Sequence, residues 1–217
     1  MLHFETIAPE TLALLRRIQS HPAFAETRLV GGTALALHLG HRVSVDLDIF
    51  GKWNYSDGLD AALATVGRVV RESGSQNGKM AFYYVDDVKV DCVSYEMYRW
   101  LDPAIEEEGV RIAAVRDIAA MKINAVTNRG TRKDFVDVAR LLEDHPLHEI
   151  FGWYRMKYPD ANPALAMRSL SYFVDAETMP MPRILIPFDW EEAKDRIRAA
   201  VRKFATGEEI IPKGTST

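Results

Sequence analysis

The sequence predicts an α/β (α+β) fold in which a mixed sheet with flanking helices over residues 1–115 is followed by a helical half over 116–217. Three observations carry this expectation. Apolar and polar residues alternate along 43–50, and two further strand-like runs at 79–85 and 88–94 are separated by two residues. Segments of helical spacing are interleaved with these strands in the first half. From Asp117 onward, each periodic segment has the spacing of a helix.

Taken in order, Pro9 suits the first turn of a helix over 9–19, with Leu12, Leu15 and Ile18 on one side. Arg28-Leu29-Val30 leads into Gly31-Gly32-Thr33, and Ala34 to Leu39 is a helix-forming run closed by Gly40. Val43 to Phe50 is expected to be one strand. Its faces are Val43, Val45, Leu47 and Ile49 on one side and Ser44, Asp46, Asp48 and Phe50 on the other. Asp57 can cap a helix carrying Leu59, Leu63, Val66 and Val70, which ends in the loop 74–78. Strands 79–85 and 88–94 flank Asp86-Asp87, the spacing of a tight hairpin, although neither turn residue is Gly. Helices are expected from Asp117, from Thr131, and over 146–157, 163–174 and 190–204, punctuated by proline pairs and by Asn162-Pro163.

Composition narrows the function. With 27 basic and 31 acidic residues among 217, the net charge is −4, so no global cationic field draws nucleic acid or anionic membrane. The single Cys92 cannot form an internal disulfide. The first residues lack the basic-then-apolar build of a secretory leader, and no run of 18 apolar residues offers a membrane span. The expectation is a soluble, cytoplasmic protein without a membrane partner.

The most informative stretch is LVGGTALALHLGHRVSVDLDIF, residues 29–50. Glycines let a backbone approach a ligand closely, and the N-terminus of the following helix presents unpaired N–H groups and partial positive charge. Gly31, Gly32 and Thr33 therefore suit a phosphate; a plain tight turn is the competing account. Asp46 and Asp48 are two apart on a strand, which puts both carboxylates on one face about 6.5 Å apart. Asp91, in VKVDCVSY, repeats the pattern on a second strand. Like charges brought together repel unless cations neutralise them. Magnesium takes oxygen ligands, and paired ions clamp the attacking and leaving oxygens of a phosphoryl displacement. The alternative for each acid is a solvated position on a strand.

These residues resemble the nucleotidyltransferase superfamily pattern: hydrophobic-Gly-Gly, a short helix, Asp-hydrophobic-Asp-hydrophobic, and a third Asp on a later strand. Together with DIAAMKINAVTNRGTRKDFVDVARLL, the chain is similar, over roughly residues 25–145, to the AbiEii/AbiGii toxin family. The resemblance implies an NTP substrate, Mg²⁺ held by Asp46, Asp48 and Asp91, an acceptor such as a tRNA end, and a cognate antitoxin partner. In the family pattern Lys122 and the Lys133-Asp134 pair belong to the functional set, while Arg42 and Ser44 match its Arg and small-hydroxyl positions.

The second motif also has a reading of its own. Asp117 is a plausible N-cap, and Lys122 and Arg129, seven residues apart, share a helix face where two cations suit phosphate. Thr131 to Asp134 fits a capping box, which explains Asp134 without catalysis. Asp137 is expected to pair with Arg140 or Lys133. Basic residues cluster at 122–140 and 194–203, either as tracks for an RNA backbone or as solvated faces.

The combined expectation is a cleft between the two halves in which a nucleoside monophosphate passes from an NTP to an acceptor hydroxyl. Asp46 and Asp48 would hold the ions, Asp91 would bind one and help deprotonate the acceptor, and Lys122 would stabilise developing charge, with Asp134 ranked behind it. Two alternatives stand beside it: an antibiotic-modifying nucleotidyltransferase acting on a small molecule, and a non-catalytic nucleotide-binding module.

Overall fold

A computed structural model describes residues 1–52, 58–74 and 79–208. The chain divides into two compact units, Met1–Ile118 and Ala119–Thr217.

The first unit is built on a seven-stranded mixed sheet. Its strands are β1 (Thr27–Val30), β2 (Leu47–Gly51), β3 (Val69–Gly74), β4 (Met80–Val85), β5 (Val88–Ser94), β6 (Ile105–Glu107) and β7 (Val110–Ile112), in the spatial order β3-β4-β5-β2-β1-β7-β6. β2 runs parallel to β5 and antiparallel to β1, and β1 runs parallel to β7. Helix α1 (Pro9–Ser20) packs on β7, and α2 (Gly31–Leu39) packs on β1 and β2. Leu14, Leu15 and Ile18 of α1 are fully or almost fully buried, as are Leu35 and Leu37 of α2. On the strands Leu47, Ile49, Tyr83, Val85, Val90 and Cys92 are buried, a run of alternate positions that places the intervening residues on the opposite face.

Helix α2 starts at Gly31, three residues earlier than the helix-forming run at Ala34 suggests, and Gly40 closes it in the left-handed conformation, φ +64°. The strand expected over 43–50 begins only at Leu47. Residues before it bond elsewhere: the Ser44 N–H donates to the Thr6 carbonyl, 2.9 Å, and Val45 turns outward, 62% exposed. The Asp86-Asp87 hairpin is present, and both residues adopt positive φ, +50° and +65°, as a two-residue turn with the native twist requires.

The helix expected through Val70 is short, α3 (Leu59–Ala64), and Val69–Gly74 is the edge strand β3. Gly67 makes this break. A Cβ there would collide with Val85 and Asp86, and the next residue is tied to the hairpin by the Arg68 N–H donating to Asp86, 2.8 Å. The cap expected at Asp57 and the loop residues 75–78 lie outside the described residues. The short hairpin β6–β7 carries too little periodicity to have been foreseen.

The second unit is helical among its described residues. It begins inside α4 (Val115–Asn128) and continues through α5 (Arg132–Asp144), α6 (Leu147–Lys157), α7 (Pro163–Ser169), α8 (Val174–Glu177) and α9 (Trp190–Thr206). The single helix expected over 163–174 is interrupted after Ser169, so α7 and α8 are separate. α9 packs against α5 and α6. Phe135, Val138, Leu141, Ile150, Phe151, Leu170 and Ile197 are buried. Asn162 caps α7 and Asp189 caps α9, each accepting a backbone N–H in the first turn.

Asp117 is not the cap of α4. It stands inside the first turn, fully buried, and its carboxylate accepts the N–H groups of Leu101 and Asp102 at 2.9 and 3.2 Å.

Candidate active site

Asp48 of β2 and Asp91 of β5 are register partners across a parallel pair, flanked by Leu47 with Val90 and Ile49 with Cys92. Parallel neighbours stand about 4.8 Å apart with side chains of a register pair on one face. The flanking pairs face the core, so the two aspartates share the opposite face. Asp46 precedes β2 by one residue. Its loop is pinned by Thr33, whose hydroxyl donates to the Asp46 carbonyl and shares a 2.8 Å hydrogen bond with the Ser44 hydroxyl.

The glycines at the start of α2 are held against these residues. Gly31 has φ +69°, and a Cβ on it would overlap the Asp48 carboxylate. A Cβ on Gly32 would overlap the guanidinium of Arg42 and approach the Ser44 hydroxyl at 3.4 Å. Arg42 is almost fully buried and donates to the Val43 carbonyl, 3.1 Å. Gly31, Gly32, Thr33, Arg42, Ser44, Asp46, Asp48 and Asp91 are thus assembled at one end of the first unit's sheet. Thr33 is buried, and its hydroxyl is engaged by the Asp46 loop.

Asp91 is the most telling member. Its Oδ2 accepts from the Lys89 ammonium at 3.3 Å, while its Oδ1 is buried and accepts no hydrogen bond. Buried oxygens are normally satisfied, so this one is free to take a ligand. Burial raises the Asp91 pKa, the Lys89 ammonium opposes the rise, and the Asp46 charge adds to it. Hard carboxylate oxygens are the donors magnesium takes, and the unsatisfied Oδ1 fits that ion. Among the described residues no three His, Cys, Asp or Glu side chains are grouped so as to hold a metal ion by themselves. An ion here would rely on phosphate oxygens and water as well, as Mg²⁺ usually does. Lys89 was not singled out from the sequence; its signal was the Lys-hydrophobic-Asp spacing, which puts it on the face of Asp91.

In the second unit Lys122, Arg129, Asp134 and Asp137 form one ionic cluster across α4 and α5. The Lys122 ammonium lies 3.1 Å from Asp134 and 2.6 Å from Asp137, with all three side chains at most 4% exposed. The Arg129 guanidinium donates twice to Asp134, at 3.0 and 3.2 Å, from a side chain that is 57% exposed. Burial alone would raise the Asp134 pKa, but the Lys122 and Arg129 charges and the Thr131 hydroxyl bring it down to about 2. Asp137 pairs with Lys122 of the preceding helix, a partner beyond the near neighbours that the spacing suggested. Thr131 does not cap through a backbone bond: its hydroxyl donates to the Asp134 carboxylate at 2.6 Å.

The basic clusters are largely neutralised. Arg132 bonds Glu177, Arg140 bonds Asp144, Lys194 bonds Glu177 and Glu191, Arg196 bonds Glu143, and Arg198 bonds Asp195. Among the described residues no helix is long and apolar enough to cross a membrane.

The family model described as nucleotidyl transferase AbiEii toxin, Type IV TA system, matches residues 13–207. The protein aq_aa25 of Aquifex aeolicus (strain VF5) is 30% identical over 182 residues, covering 81% of this chain and 86% of its own length. Among solved structures, JHP933 from Helicobacter pylori superposes with a TM-score of 0.56 at 17% identity, covering 94% of this chain and 95% of that one. The nucleotidyltransferase toxin MenT4 from Mycobacterium tuberculosis H37Rv superposes with a TM-score of 0.52 at 12% identity, covering 87% of this chain and 79% of its own. These structural likenesses establish a shared mixed α/β fold.

Proposed function

The chain belongs to the AbiEii nucleotidyltransferase toxin family, and from that premise we propose that it transfers a nucleoside monophosphate from an NTP to an acceptor hydroxyl, with Mg²⁺ held by Asp46, Asp48 and Asp91. The observation that carries this reading is the register pairing of Asp48 with Asp91, beside Asp46 and the glycine-led start of α2.

In the proposed reaction the acceptor oxygen attacks the α-phosphorus, a new P–O ester bond forms, and the bond to the bridging oxygen breaks to release pyrophosphate. Magnesium, when bound, neutralises phosphate charge and aligns the attacking and leaving oxygens. The chain's own residues do the rest. Gly31 and Gly32 let the Asp48 carboxylate and the Arg42 guanidinium lie against the start of α2, whose N–H groups and helix dipole favour a phosphate. Arg42, buried behind Gly32, adds a fixed positive charge. Thr33 and Ser44 hold the Asp46 loop in place. Asp91 accepts the proton leaving the acceptor hydroxyl.

On the strength of the family pattern, Lys122 and the Lys133-Asp134 pair are assigned to the functional set, and Arg129, seven residues on from Lys122, is proposed as a second cation for phosphate. Within it Arg129 is the exposed arm, and Lys122 and Asp134 fix its base. The two units are proposed as an α/β catalytic core over residues 1–115 and a helical half over 116–217. A cytoplasmic location, a tRNA or other RNA acceptor and an antitoxin partner complete the reading.

The test is incubation of the protein with each of four α-³²P-labelled NTPs, Mg²⁺ and total RNA, alongside an aminoglycoside arm. Label in RNA that disappears with Asp48→Ala supports the proposal. Label on the small molecule moves the acceptor to the antibiotic-modifying class, and tight nucleotide binding with no label anywhere contradicts a transferase role.

A further inference from the structure

Lys89 stands two residues before Asp91 on β5, so both side chains leave the same face of the strand. Its ammonium lies 3.3 Å from Asp91 Oδ2. The negative charges it feels are those of Asp91, Asp46 and Asp48. The like charges of Asp91 and its register partner Asp48 repel, and Lys89 offsets one of them.

The contact is built to be broken. The Lys89 side chain is 37% exposed against 18% for Asp91, and a half-exposed ion pair contributes roughly 1 kcal/mol or less. A lysine ammonium is a compact charge on a flexible stem, able to turn from one anion to another. Asp91 Oδ1 is meanwhile buried without a hydrogen bond, so the carboxylate is only half used by its lysine.

We propose that Lys89 is a resident countercation of the acidic site, competing with the divalent ion for Asp91 and turning to nucleotide phosphate once displaced. The inference rests on Asp46, Asp48 and Asp91 being the divalent-ion ligands. A purely structural lysine would affect both ligands in the same direction on removal; a displaceable countercation affects them in opposite directions.

The experiment uses the full chain as wild type, Lys89→Met, Lys89→Gln and Lys89→Arg, with Asp48→Asn as the reference for the site and calorimetric melting to confirm folding. Mn²⁺ alone is titrated and free Mn²⁺ read by electron paramagnetic resonance. Each of the four α,β-methylene nucleoside triphosphates, which cannot transfer their nucleotide, is then titrated at saturating Mn²⁺. Removal of a unit charge at this range is expected to tighten Mn²⁺ about tenfold in both neutral variants and to weaken the analogue about tenfold. Lys89→Arg keeps the charge and is expected to stay near wild type. Neutral variants that bind Mn²⁺ no more tightly, while Asp48→Asn abolishes binding, overturn the inference and leave the site reading standing. Wild-type Mn²⁺ binding that Asp48→Asn leaves unchanged overturns both.

Discussion

Asp48 and Asp91 face each other across adjacent parallel strands as register partners, although 43 positions of sequence separate residues 48 and 91. Two carboxylates held this way on the sheet face away from the core are costly unless a cation joins them. If the pair serves catalysis, its removal lowers activity without harming the fold. Asp48→Asn is expected to reduce nucleotide transfer by at least about 1,000-fold, the scale of losing roughly 4 kcal/mol of transition-state stabilisation. Its melting temperature is expected to stay close to that of the wild type, because the substitution is isosteric; calorimetry and label transfer on one preparation check both.

Gly31 is expected to tolerate no side chain. Its φ of +69° disfavours an L-residue by about 1–2 kcal/mol, and the added Cβ meets the Asp48 carboxylate. Gly31→Ala should therefore lose stability by about that amount and lose activity more steeply than stability. Gly32→Ala meets the Arg42 guanidinium instead, at ordinary φ, so it is expected to lose stability without the backbone strain of Gly31→Ala.

The Lys122, Asp134 and Asp137 cluster makes a prediction about neutralisation. Removing one member of a buried pair typically costs about 3–5 kcal/mol, because the other charge is stranded. Lys122→Met, which takes the buried cation away from both Asp134 and Asp137, is expected to be more destabilising than Asp134→Asn, which leaves Lys122 paired with Asp137. The double variant should be less destabilised than the sum of the two, as urea unfolding of all four proteins would register.

The same cluster sets an acid limit. The folded-state pKa of Asp134 is held down to about 2 from 3.8, so its ionised form contributes stability that is complete above pH 3.8. That contribution, about 2 kcal/mol by linkage, is lost as pH falls from about 4 towards 2. Unfolding followed across that range should show a fall in the wild type that is shallower in Asp134→Asn.

In the turn, Asp86 and Asp87 occupy the same kind of backbone conformation but do different work. Asp86 accepts from the Arg68 N–H and from Arg17, whereas Asp87 offers only an exposed pair with Arg68. Asp87→Gly is expected to be neutral or to stabilise by up to about 1 kcal/mol, since glycine relieves the left-handed strain. Asp86→Gly is expected to destabilise, and thermal melts distinguish the two.

Much of this was legible in the chain. Alternation along Leu47 to Phe50 and Val88 to Ser94 reported which face each strand buries, and so put Asp48 and Asp91 on the open face before any register was known. What alternation could not report was which strands are neighbours: β2 pairs with β5 across an intervening helix and two strands. Val43 to Asp46 alternates as well as β2 does, yet its backbone bonds to Thr6, a long-range choice invisible to local pattern. Val66 and Val70 fitted a helical stripe, but beyond Gly67 and the Asp86 hydrogen bond the chain is an edge strand. For Asp137, spacing offered two near partners but could not reveal its pairing with a lysine on the preceding helix.

The claim on which the account depends is that Asp46, Asp48 and Asp91 converge on divalent ions beside Gly31. An anomalous-difference map from a crystal of the protein soaked in Mn²⁺ with α,β-methylene nucleoside triphosphate tests it most directly. The account expects a manganese peak within coordination distance, roughly 2.0–2.3 Å, of carboxylate oxygens from both Asp48 and Asp91. A manganese peak bound elsewhere, with the Asp91 carboxylate still held by Lys89, would contradict it.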